Sequence, residues 1–162
     1  KQDQEERWKL TITAGAGGRV VGITGGGEVI VSAGRIKGVS EGMTAVSPEG
    51  LLVGRVVAVG ERNSRVQLPI ASGSRIAVRV GEMRVKGIVR GTGGGMVLDE
   101  VAQGEAVQSG DRIVTAGSDE LYIEGVVVGR IGQMLPTGAA VYRQADVTID
   151  INYQKISFIF FL

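Results

Sequence analysis

The chain has 162 residues, 43% hydrophobic and 22% charged, enough for a real core in one medium domain or two very small ones. Its net charge of +1 provides no strong pull toward nucleic acid or anionic lipid. With 0 His and 0 Cys, triad chemistry of the Ser-His or Cys-His kind, disulfides and the commonest metal ligand are all excluded.

In chain order, KQDQEERWKL (1–10) is the one good helix former, short enough to read as a helical stub or as a disordered terminus. The chain opens on Lys1 rather than Met, so it is expected to be a processed or excised segment, with any targeting segment upstream. No apolar run reaches the length of a membrane helix. From residue 11 the pattern turns to short strands, predicted at 19–24, 28–32, 44–47, 51–59 and 65–68. RIAVRV (75–80) and MRVKGIVR (83–90) flank Gly81-Glu82, which predicts a hairpin with a two-residue loop. Further strands are expected at 96–98, 112–116, 126–134 and 140–147. DVTIDINY (146–153) alternates, with Val147, Ile149, Ile151 and Tyr153 on one face, and reads as a half-buried strand. The tail ISFIFFL (156–162) is apolar on both faces and must be buried in the core or covered by a partner.

The 27 glycines suit a fold of many turns and bent strands. The glycine clusters at 14–18, 24–27 and 91–95 run into strands, not helices, so they read as turns and not as phosphate loops. Asp99-Glu100 and Asp119-Glu120 are neighbours on strands or turns, where side chains point to opposite faces, and form no evident carboxylate dyad. Asp146 and Asp150 share a face but read as solvated.

One feature organises the rest. SEGMTAVSPEGLLVGRVVAV (40–59) is repeated as SGDRIVTAGSDELYIEGVVVGRIGQM (109–134), about 75 residues on. A unit of that size is a small barrel that buries too little surface alone, so two packed copies are predicted. Gly54 and Gly129 sit at equivalent places inside apolar strands, where glycine marks a bulge or sharp bend. Gly50 and Gly125 are expected to close the preceding turns with positive φ. The fold class is therefore all-β: two small packed six-stranded β-barrels preceded by a short helical stub. The expected division is 1–10 stub, 11–70 first barrel and 71–154 second barrel, with the last strand, 155–162, a candidate to return to the first.

The residues GVSEGMTAVSPEGLLVGRV (38–56), VQLPIASGSRIAVRV (66–80) and SGDRIVTAGSDELYIEGVVVGRI (109–131), closed by a V-x-I-x-I strand and an apolar strand, resemble the extracytoplasmic β-domain of the rod shape-determining protein MreC family. The resemblance covers about 28–162; it departs from the family pattern at IASGS and, in the second signature, at Tyr122-Ile123-Glu124-Gly125. It implies a non-enzymatic scaffold of the cell-wall elongation machinery, on the periplasmic side of the cytoplasmic membrane. An N-terminal membrane helix would lie outside this chain, with residues 1–10 ending a coiled coil. Implied partners are further copies of itself, a class B penicillin-binding protein transpeptidase, and the MreD and MreB proteins. No cofactor, metal or nucleic acid is expected. Candidate interface residues are Tyr122, Ile123, Phe158, Phe160 and Phe161, read as exposed apolar positions. The competing readings are an oligonucleotide-binding barrel, short of aromatic platforms and basic charge, and a carboxylate-dependent wall hydrolase using Asp99 or Asp119.

Overall fold

The computed structural model describes residues 16–119, 121–136, 138, 141–149 and 151–162. The stub at 1–10, Glu120 and Asp150 lie outside the described residues. Among the described residues twelve strands follow one another: β1 (Gly17–Ile23), β2 (Glu28–Val31), β3 (Thr44–Val46), β4 (Leu52–Val59), β5 (Ser64–Gln67), β6 (Arg75–Val80), β7 (Val85–Gly91), β8 (Met96–Ala102), β9 (Arg112–Thr115), β10 (Val127–Leu135), β11 (Tyr142–Thr148) and β12 (Phe158–Phe161). A 3-10 turn spans Arg35–Lys37. Alternation explains most of them: on β6, Ile76, Val78 and Val80 are buried while Arg75 is exposed.

The strands close into two six-stranded antiparallel barrels, in the orders β1-β12-β3-β4-β5-β2 and β10-β11-β8-β7-β6-β9. Closure leaves neither sheet an open edge. Superposing the two orders pairs β1 to β5 with β7 to β11, and then β12 with β6. Each half of the chain thus gives its sixth strand to the other half's barrel. β6 pairs with β7 and β9, and β12 pairs with β1 and β3. This reciprocal exchange ties the barrels together covalently at both ends.

Two local expectations are corrected. The β6–β7 hairpin has a four-residue loop, Gly81 to Arg84, with Val80 opposite Val85. Arg84 takes a left-handed φ of +53° and its N–H bonds the Gly81 carbonyl at 3.2 Å, so residues 83–84 turn instead of pairing. The strand expected over 146–153 stops at Thr148. Its sidedness continues nevertheless: Ile149, Ile151 and Tyr153 all pack against the first barrel's core as the chain crosses from one barrel to the other. The alternation recorded burial on one side, but among the described residues no strand pairs there to complete a ladder.

Gly54 has φ +154°, and a Cβ there would run into the Gln67 carbonyl of β5. Gly129 has no such φ, but a Cβ there would meet the Thr148 carbonyl of β11. Both glycines therefore allow a close approach of backbone to the next strand, beside register shifts in the β3–β4 and β9–β10 pairings. Gly50 and Gly125 hold φ of +87° and +86° in the turns before them.

Candidate docking site

The repeated motif forms two hairpins, β3–β4 and β9–β10, with matching register. Thr44 faces Arg55, Ala45 faces Gly54 and Val46 faces Leu52 in the first. Arg112 faces Arg130, Ile113 faces Gly129 and Val114 faces Val127 in the second. The hairpins meet at the junction of the barrels, where Leu51 forms a parallel bridge with Val127.

The outer faces of these two hairpins have different fates. Residues 47–51 make a tight turn between β3 and β4, with the Leu51 N–H bonded to the Ser47 hydroxyl at 3.1 Å. Residues 116–126, more than twice as many, join β9 to β10. That longer loop folds over the first hairpin. The Ile123 N–H donates to Thr44 Oγ1 at 3.0 Å, and Tyr122 joins Val46 and Leu52 in one buried cluster. Thr115 anchors the loop's return, its hydroxyl donating to the Ile123 carbonyl at 2.5 Å and accepting the Val126 N–H at 2.9 Å. Burial pushes the Tyr122 phenol up to about 12; nearby Arg55 opposes the rise and Asp119 adds to it.

Among the described residues no loop covers the second hairpin in this way. There a cleft of about 190 Å³ is lined by Leu51, Arg112, Val127, Arg130, Thr148 and Ile149. Arg112 and Arg130 are exposed directly opposite each other. Arg79 lies beside Val114, and Lys86 beside Arg79, on the same outer face. Among the described residues no carboxylate comes within ion-pair distance of these four cations, whereas Arg65, Arg75, Arg84 and Arg90 are all paired.

The sequence-predicted interface residues divide. Ile123 and Phe158 are exposed, at 42% and 37%. Tyr122 and Phe161 are buried, at 7% and 2%, so neither is the exposed apolar position expected. Tyr122 is consumed by the internal contact with the first hairpin, and Phe161 faces the first barrel's core. Phe160 is half-buried, its ring 5.2 Å from that of Phe158. The structure brings Ile123 to the junction, while Phe158 sits on the first barrel opposite Arg19. Sequence reasoning missed Thr44, Arg55, Arg112 and Arg130. The available signal was the Arg that ends both heptads, together with the unequal lengths of the turns before them.

Asp99, Glu100 and Asp119 are engaged in structural contacts. A left-handed φ of +59° at Glu100 swings it to the side of Asp99, contrary to strict alternation, and both reach Arg90, at 2.7 and 3.3 Å. Burial would raise the Asp99 carboxyl, but the Glu100 N–H, Gln144 and Arg90 outweigh it and hold it below its ordinary value. Asp119 accepts the Ala77 and Leu121 N–H groups at 3.2 and 3.1 Å. Among the described residues no group of three or more acidic side chains is placed to hold a metal ion.

Twin closed barrels exchanging their sixth strands, with a cleft where their equivalent hairpins meet, define a duplicated all-β domain. The family model for the rod shape-determining protein MreC, barrel core, matches residues 25–162, and the chain belongs to that family. The cell shape-determining protein MreC of Caulobacter vibrioides is 34% identical over 151 residues, covering 86% of this chain and 41% of that protein. Its Escherichia coli counterpart is 25% identical, covering 83% of this chain and 37% of its own length, so the chain spans about two fifths of these relatives. Among solved structures, MreC from Pseudomonas aeruginosa is similar with a TM-score of 0.80 at 20% identity, over 91% of this chain and 97% of that one. A complex between penicillin-binding protein PBP2 and MreC from Helicobacter pylori contains a chain similar at TM-score 0.67 and 17% identity, over 89% of this chain and 96% of that one. At these identities the structural likeness concerns the fold.

Proposed function

We propose that this chain is the periplasmic β-domain of a cell-shape scaffold that self-associates and docks cell-wall synthesis enzymes, a class B penicillin-binding protein transpeptidase first among them. The observation that carries the reading is family membership over 25–162, with a relative of the same fold bound to PBP2 in Helicobacter pylori. A relative's domain is described as periplasmic and as part of a cell shape-determining filament, at TM-score 0.76 and 22% identity, which supports the location and the self-association. In this reading the domain works by surface complementarity, with no bond chemistry, cofactor or metal. An N-terminal membrane helix outside the chain anchors it, residues 1–10 end a coiled coil, and MreD and MreB belong to the same assembly. Residues 11–70 with 155–162 form one working unit and 71–154 the other. Among the described residues no helix is long and apolar enough to cross a membrane.

The test is photocrosslinking in cells from Ile123 and Phe158 of the full-length protein, in a strain depleted of its own copy. Crosslinks to a class B transpeptidase together with restored rod shape are expected. Restored shape without any transpeptidase or self-crosslink from either position, or from a wider scan of the surface, would overturn the reading.

A further inference from the structure

The two hairpins are equivalent in register, and one of them already has a peptide seated on it. On β3–β4 that occupant is the chain's own loop, with Tyr122 buried in one cluster with Val46 and Leu52 and near Arg55, and Ile123 bonded to Thr44. On β9–β10 the counterpart of Thr44 is Arg112, the counterpart of Arg55 is Arg130, and the short turn at 47–51 cannot reach across as the longer loop does. The open hairpin thus keeps the register of the covered one but carries a second guanidinium where the first has a hydroxyl. Like charges directly opposite on adjacent strands are destabilising. Here they flank an apolar floor of Leu51, Val127 and Ile149, at a place where Arg130 spends one N–H on the Gly110 carbonyl at 3.0 Å.

We propose that the Arg112–Arg130 cleft is a docking site for an extended acidic peptide segment of a partner protein, with an apolar or aromatic residue flanked by carboxylates. The apolar residue covers the floor, much as the loop carrying Tyr122 covers the first hairpin. The flanking carboxylates take the two guanidinium groups, a pairing that Arg makes with good geometry, and Arg79 and Lys86 extend the positive surface along the same face. The site is defined by the cleft alone and is independent of whether the transpeptidase is the partner.

The chain's own loop provides the probe. A fluorescein-labelled peptide of sequence SDELYIE (118–124) is titrated with the purified chain and followed by anisotropy. Saturable binding is expected, weakening with salt and lost with the peptide SKKLYIK. The Arg112→Glu/Arg130→Glu variant should bind at least about tenfold more weakly, while Lys37→Glu/Arg62→Glu, an equal charge change on the first barrel, should bind as the parent does. Melting curves of both variants establish that they are folded. Absence of saturable binding by the parent, or equal loss in both double variants, overturns the proposal. Sedimentation of the chain with phosphatidylglycerol vesicles through Arg112 and Arg130, undiminished by excess peptide, would assign the cleft to a membrane surface and overturn it as well.

Discussion

The β3–β4 and β9–β10 hairpins carry nearly the same heptad, EGLLVGR and EGVVVGR, yet one is sealed inside the molecule and the other faces solvent. Leu52 is fully buried and its counterpart Val127 is only half-buried. The difference does not come from the heptads. It comes from the turns before them: a longer loop in the second half reaches the first hairpin, and the short turn of the first half does not reach the second. The unequal loops turn two hairpins of matching register into one internal contact and one available face.

That comparison can be broken most sharply at the paired glycines. Gly54→Val meets both a disfavoured φ and the Gln67 carbonyl, so a loss of about 4 kcal/mol is expected from strain and overpacking together. Gly129→Val meets the Thr148 carbonyl without the unusual φ and should lose less, about 1–3 kcal/mol. Denaturant melts showing equal losses would remove the distinction.

Leu52→Ala should destabilise by about 3 kcal/mol through the cavity it opens, and Val127→Ala by under about 1 kcal/mol, since Val127 is half-exposed. Urea midpoints of the two variants compare the sealed and open faces directly. A Val127 loss matching that of Leu52 would mean that the second hairpin is covered in solution.

The buried phenol supplies a pH signature. Tyr122 titrates near 10 unfolded and about 12 folded, so the folded state holds the proton more tightly. Its contribution is fully present below pH 10 and is lost as pH rises toward 12, on the order of 2–3 kcal/mol across that window. Burial moves Tyr153 in the same direction. Tyr122→Phe should flatten part of the alkaline decline in thermal melts; an unchanged pH profile would show that the loop does not seal the cleft.

The smallest effect concerns the open face. Arg112→Glu replaces a repulsive cross-strand pair with an attractive one and should stabilise by about 0.2–1 kcal/mol. A destabilising outcome at low salt would mean that the two guanidinium groups are already compensated.

Strand positions were readable because burial on one face leaves a period-two trace, as in RIAVRV on β6 and even in Ile149, Ile151 and Tyr153, where no ladder forms. The trace reports which side is dry, not what dries it. Ladder pairing at 149–153 and the four-residue turn at Gly81–Arg84 depend on where the neighbouring backbone lies, and that is absent from local pattern. Tyr122 illustrates the same gap in the site. It is apolar and sits in a polar loop, which suggests exposure, and its burial depends on Val46 and Leu52 lying far away in sequence.

Local chemistry was therefore enough to establish an all-β, duplicated chain with glycines at equivalent strand positions and no histidine or cysteine chemistry. Periodicity, composition and repetition are properties of neighbours along the chain. The exchange of β6 and β12 between barrels, the sealing of one hairpin and the placing of Arg112 opposite Arg130 come from contacts between residues far apart in sequence, and these arise only when the barrels close against each other.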